Sequence, residues 1–173
     1  MYIEMFSHIG ELCQQTPTAT YFEEGPKITL RFHGPDPFMR RDSSAGWTIR
    51  FENAEWKVTR PEGLVCDCHD GHVSRAASFS RCTWGVLEQV YIDVRLGLRL
   101  TFESGVVISA VVAEESSGLI QWQLINPWGT HLRVYGGGGW TLHYEGETTP
   151  AYFFSPDSPN ISLETAECSP LTQ

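Results

Sequence analysis

"VLEQVYIDVRLGLRLTFESGVVISAVVA", residues 86–113, decides the fold class. Val90, Ile92 and Val94 alternate with polar neighbours, and Leu96, Leu98, Leu100 and Phe102 do the same. A period of two puts one face of a strand on a core and the other in water. Ser104-Gly105 makes a tight turn, after which Val107 and its neighbours return. The stretch predicts a β-meander.

The same signal extends in both directions. Downstream, "LIQWQLINPWGTHLRVYGGGGWTLHYE" (119–145) supplies three more short strands. They are parted by Asn126-Pro127-Trp128-Gly129 and by the glycines Gly136 to Gly139. Upstream, "TATYFEEGPKITLRFHG" (18–34) gives two strands around a Glu-Glu-Gly-Pro turn, and "GPDPFMRRDSS" (34–44) is a loop by composition. In "GWTIRFENAEWKVTR" (46–60) the alternation changes phase near Asn53-Ala54, which predicts a bulge or turn there. "RPEGLVCDC" (60–68) turns into another short strand. Only the N-terminus reads otherwise. Tyr2, Met5, Phe6, Ile9, Leu12 and Cys13 recur at helical spacing, so an amphipathic helix is expected over residues 2–14, closed by Pro17.

The expected architecture is mainly β, an antiparallel sandwich or curved β-roll carrying one N-terminal helix. An internal echo suggests two similar β-units. "KITLRF", a loop and "WTIRFENAEWKV" parallel "LRLTFESG", a loop and "WQLINPWGTHLRV". With 173 residues the chain is expected to form one globular domain over 1–144. Residues 145–173, rich in Pro, Ser and Thr, read as an extended tail pinned by Tyr152, Phe153 and Phe154.

A net charge of −9 argues against nucleic-acid binding, which needs Lys and Arg to neutralise phosphates. No apolar run reaches the ~20 residues of a bilayer-spanning helix. The opening "MYIEMFSHIGELCQQ" lacks the early basic residues of a signal peptide, so the expected location is cytoplasmic and the five cysteines are expected to be reduced thiols.

The densest chemistry lies in "LVCDCHDGHVSRAASFSRC", residues 64–82. Cys66, His69 and His72, with Cys82 or Asp70 as the fourth ligand, could meet at a metal if the loop curls, which makes a metal-binding or redox-sensing domain the alternative reading. Against it, Cys66-x-Cys68 is tighter than a zinc knuckle, and Cys68 and His69 on one strand would face opposite ways. The plainer reading is a strand ending at the cysteines, a turn at Asp70-Gly71 and two exposed histidines. No nucleophile elbow, HExxH or Walker loop is present, so no catalytic residue and no cofactor is expected. The four glycines precede a strand-like "WTLHY" and read as a hairpin tip, since phosphate cradles sit at helix N-termini.

A surface argument remains. Acid-bearing loops (Glu23 with Glu24, Glu114 with Glu115, Glu145 with Glu147) alternate with the aromatics Trp128 and Tyr135. Aromatic anchors within a charged rim are the ingredients of protein–protein interfaces. These eight residues are the candidate partner-binding set.

The succession "GWTIRFENAEWKVTRPEGLVCDCHD", "LRLTFESGVVISA" and "QWQLINPWGTHLRVYGGGGW" resembles small bacterial β-rich domains of unknown function. They share a Trp-opened strand leading to a second Trp with a basic residue, here Trp47 and Trp56-Lys57, then a strand, a Gly turn and a Trp strand. Some such domains look like immunity proteins encoded beside polymorphic toxins. The resemblance implies a non-catalytic binding protein that occludes the active site of a cognate toxin domain. The acidic charge of this chain suits a basic partner.

Overall fold

A computed structural model describes residues 9, 10, 12–23, 25–32, 46–93, 95–115 and 118–144, with the backbone of 152–154 and 166–167. The protein is mainly β. Among the described residues it forms two antiparallel sheets and one complete helix.

The seven-stranded sheet contains β1 (Pro17–Phe22), β2 (Ile28–Phe32), β3 (Trp47–Phe51), β9 (Ile120–Ile125), β10 (His131–Tyr135), β11 (Trp140–His143) and β12 (Tyr152–Phe154), in that spatial order. The second sheet contains β4 (Glu55–Arg60), β5 (Gly63–Asp67), β6 (Leu87–Ile92), β7 (Leu98–Phe102), β8 (Val107–Val111) and β13 (Ala166–Glu167). Its order is β13-β6-β7-β8-β4-β5. The expected meander is thus β6, β7 and β8, paired in sequence. The tail segment 152–154 pairs with β11 through Leu142↔Tyr152 and Trp140↔Phe154.

One hydrophobic cluster joins the inner faces. Leu30, Phe32, Trp47, Ile49, Phe51, Trp122 and Leu132 come from the first sheet; Trp56, Val58, Leu87, Leu100, Phe102 and Ile108 come from the second. Trp122, fully buried, donates from Nε1 to the Leu96 carbonyl at 2.8 Å, tying β9 to the β6–β7 turn. Leu96 has a left-handed backbone (φ 64°), and the turn is closed by Asp93 Oδ1, which accepts from the amides of Arg95 and Gly97 at 2.8 Å each.

The phase change near Asn53-Ala54 has a larger consequence than a bulge. It is where the chain leaves one sheet for the other, since β3 and β4 belong to different sheets. The Gln121 carbonyl holds that corner by accepting from the amides of Glu52, Asn53 and Ala54 at 2.9, 3.3 and 3.3 Å. The two echoing stretches also sit differently. β2 and β3 are hydrogen-bonded neighbours, whereas β7 and β9 lie in separate sheets.

The amphipathic helix expected over residues 2–14 is not borne out. Residues 1–8 and 11 lie outside the described residues; Ile9, Leu12 and Cys13 are buried, and Gln14 turns into the left-handed region (φ 70°). From there the chain runs extended. The Gln14 amide donates to Leu87 O at 2.7 Å, and the Leu87 amide donates to Gln15 O at 2.8 Å. The described helix is α1, His72–Ser80. It begins after Gly71 and turns Arg75 and Phe79, one turn apart, toward the core. A second correction concerns the thiols. Cys13 is disulfide-bonded, whereas Cys66, Cys68 and Cys82 are free. No helix among the described residues is long and apolar enough to cross a membrane.

Candidate functional site

The site that stands out is a groove of about 720 Å³ on the outer face of the seven-stranded sheet. It lies over β1, β2 and β3 and is bounded by the β9–β10 turn. Its floor follows from two nearly identical strands, Thr29-Leu30-Arg31-Phe32 and Thr48-Ile49-Arg50-Phe51. In each, the apolar pair faces the core, so Thr and Arg share the outer face. Antiparallel pairing sets Thr29 opposite Arg50 and Arg31 opposite Thr48. The result is a checkerboard of two cations and two hydroxyls.

The two arginines are held differently. Arg50 Nη2 donates to both carboxylate oxygens of Glu23, at 2.8 and 2.7 Å, and Arg50 Nε lies 3.2 Å from Glu52. Glu52 in turn takes Lys27 at 3.6 Å and the Gln123 side-chain amide at 2.9 Å. Glu23 and Arg50 are a third or more exposed, so their pair contributes less than about 1 kcal/mol to stability, while Glu52 is largely covered at 14%; the network fixes Arg50. Arg31 is exposed and stacks over the Tyr21 ring at 5.1 Å. It makes no ion pair among the described residues.

The turn at the far side is a side-chain-stabilised loop. Asn126 Oδ1 accepts from the amides of Trp128 at 3.0 Å and Thr130 at 2.8 Å, and Gly129 supplies the positive φ of 79° that the turn requires. Trp128 meets Trp47 edge to face at 6.4 Å while remaining 56% exposed. Glu23 and the Trp128 turn therefore come together at the groove, with Pro127 and Gly129 in its wall.

The other expected partner residues are elsewhere. Tyr135 opposes Ile120 at the start of β9, whereas the groove lies at its Ile125 end. Five residue steps along a strand separate these ends by roughly 17 Å. Tyr135 is half-buried, its hydroxyl 3.3 Å from Thr141 Oγ1. Glu114 and Glu115 precede β9 and are exposed; Glu114 faces Arg95 at 3.5 Å with both side chains about four-fifths in solvent. Glu24, Glu145 and Glu147 lie outside the described residues.

The cysteine and histidine segment takes a different form. Strand β5 ends at Asp67, whose carboxylate accepts from the His69 amide at 2.8 Å, and the Asp70 carboxylate accepts from the Asp67 amide at 2.9 Å. Cys66 points into the core, and burial pushes its thiol up to about 12. Burial also raises Cys68 and Cys82, against the guanidinium of Arg60 in the latter case. Neutral thiols are poor nucleophiles and poor metal ligands. His69 and His72 are exposed, and His72 meets the Phe22 ring edge to face at 6.1 Å. Among the described residues no group of three or more His, Cys, Asp or Glu is placed to hold a metal ion.

What this segment does is support the groove. Arg75, 3% exposed, donates from Nη2 to Gly25 O at 2.6 Å and lies over Trp56 at 5.8 Å, while Phe79 packs on Phe22 at 4.9 Å. Phe22 and Glu23 line the groove, so α1 backs one of its walls. The chain matches no family model, no curated protein and no solved structure. The site's own geometry carries the functional reading.

Sequence reasoning picked out Glu23 and Trp128 but missed Arg31 and Arg50. A signal was present, the repeated Thr-x-Arg-Phe in two successive strands. Its meaning depends on the register between them.

Proposed function

We propose that this protein is a non-catalytic binding protein of the immunity type, which neutralises a cognate toxin domain by covering its active site. The observation that carries the reading is the groove. It offers a fixed ion-pair network, a stacked arginine and an exposed tryptophan on one sheet face, the mixture that anchors protein partners. Its carboxylates are engaged with Arg50 and Lys27, and the thiol of Cys66 is held neutral by burial, which supports binding over covalent chemistry. The net charge of −9 steers a basic partner over long range. The cytoplasmic location proposed with this role has to accommodate the Cys13 disulfide, because reducing compartments keep most such bonds open.

Co-expression with toxin domains encoded in adjacent reading frames tests the proposal. Rescue of growth by the native chain, lost on Trp128→Ala, is the expected result. Growth arrest in every pairing would overturn it.

A further inference from the structure

We infer that the outer face of the seven-stranded sheet docks an acidic protein segment, one carboxylate of which sits in the groove between Arg31 and Arg50. The inference rests on reading the groove as partner-facing. In a chain of net charge −9, the strands of this sheet contain no Asp or Glu, yet they place Arg31, Arg50 and Arg133 on the outer face. Each of those arginines alternates with core residues: Leu30 and Phe32, Ile49 and Phe51, Leu132 and Val134. The acids at the rim, Glu23 and Glu52, are already neutralised by Arg50 and Lys27. What remains unspent is the charge of Arg31, whose ring stack on Tyr21 holds it, and that of Arg133.

Arg133 supplies an independent observation. It lies in one lateral row with Arg50 and Gln123, since Gln123 opposes Arg50 on one side and Arg133 on the other. Its Nε is buried without a hydrogen-bond partner, and it makes no ion pair among the described residues. A buried, unsatisfied donor is costly, so a ligand oxygen admitted by a shift of the Arg133 side chain offsets that cost. Adjacent strands are spaced ~4.8 Å apart, so the backbones carrying Arg50 and Arg133 stand roughly 10 Å apart. An extended segment with two carboxylates at that spacing satisfies the groove and Arg133 together. Arginine forks match carboxylate geometry, and the two threonine hydroxyls of the checkerboard add donors. The overall negative charge of the chain does not oppose this at contact range, because charges beyond ~8 Å are screened at physiological ionic strength.

The test titrates the full chain with a blocked glutamate–alanine hexapeptide and, separately, with inorganic phosphate, following the arginine Nε–H resonances by NMR. Peptide should shift Arg31 and Arg133, and Arg31→Gln and Arg133→Gln should each weaken it about tenfold or more. Arg99→Gln, on the exposed face of the other sheet, should leave binding unchanged, with thermal unfolding of each variant checked against the native chain. Absence of shifts at millimolar peptide overturns the inference. So does equal loss in Arg99→Gln, or saturation of the same resonances by phosphate at lower concentration than peptide. Loss of toxin rescue in Arg31→Gln without peptide binding would remove the carboxylate assignment and leave the binding function standing. Peptide binding with no toxin neutralised would do the reverse.

Discussion

The strands of the seven-stranded sheet contain no aspartate or glutamate, whereas those of the six-stranded sheet contain Glu55, Asp67, Glu88 and Glu167. Both sheets bury the same kind of inner face, rows of Trp, Phe, Leu and Ile in one cluster. Their outer faces differ in kind. On the six-stranded sheet Lys57 opposes Asp67 across strands, and the same row continues through Ser109 to exposed Arg99 and Tyr91. That is a solvated surface. On the seven-stranded sheet the outward residues Thr29, Gln123 and Thr141 are themselves buried, at 8%, 6% and 4% exposure, among larger cationic neighbours. The core explains the fold, and only the outer faces separate a wet side from the side that carries the groove.

The most severe way to probe that division is to remove what the two sheets share. Trp122 is fully buried and donates to Leu96 O in the β6–β7 turn of the opposite sheet. Trp122→Ala should cost about 3–5 kcal/mol through cavity formation, enough to abolish cooperative unfolding in a denaturant titration. Trp122→Phe keeps most of the bulk and leaves the Leu96 carbonyl without its donor, at a cost of about 1–3 kcal/mol. If the alanine variant melted one sheet and spared the other, the two would be separate units and the comparison would fail.

Gly97 tests the six-stranded sheet alone. A Cβ there would stand 2.6 Å from Asp93 Oδ2 and 3.0 Å from the Ala110 carbonyl, in the turn that feeds β7. Gly97→Ala should therefore destabilise by about 1–3 kcal/mol, read from the denaturation midpoint, because the backbone oxygen cannot move aside cheaply. The groove on the other sheet should keep its affinity for partner until the fold is lost.

The division was only partly legible in the sequence, and particular residues show why. Alternation at Leu98, Leu100 and Phe102 marks a strand because period two survives any neighbour. Helix α1 was hidden because its inward positions are Arg75 and Phe79, and an inward arginine reads as a surface residue. Gln14 ends an apolar helical pattern by taking a left-handed backbone that spacing cannot foretell. The crossing from β3 to β4 showed as a phase change at Asn53, but which sheet each strand joins is set by pairing with β9 and β8. The groove is a register effect of the same kind. Arg31 and Arg50 become a site only when Thr-x-Arg-Phe pairs antiparallel with its twin.

Alkaline titration should sharpen the difference in the inner faces. Cys66 sits in the core beneath the six-stranded sheet, with its thiol pushed by burial from 9.0 up to about 12. The unfolded thiol ionises first, so the folded state holds the extra proton. Stability is then complete below about pH 9 and falls as pH rises toward 12, by at most about 1.4 kcal/mol per unit. Cys66→Val should flatten the difference over that window when both variants are unfolded in urea at several pH values. An unchanged slope would show that Cys66 is not what makes this sheet sensitive to base.

The smallest effect should come from the most conspicuous ion pair. Arg50 Nη2 alone donates to both carboxylate oxygens of Glu23, at 2.8 and 2.7 Å, and the two side chains are 33% and 40% exposed. Water screens such a pair and ordering two long side chains opposes it, so Glu23→Gln should change stability by less than about 1 kcal/mol. Its effect on binding should be larger and have a definite sign. Removing the carboxylate releases Arg50 Nη2 while its Nε stays against Glu52, which makes the groove one charge more positive. An acidic segment should then bind more tightly and a basic one more weakly, at unaltered thermal stability. Weaker binding of an acidic segment would mean that Glu23 serves to aim Arg50 at its ligand, and that order at the groove outweighs its charge.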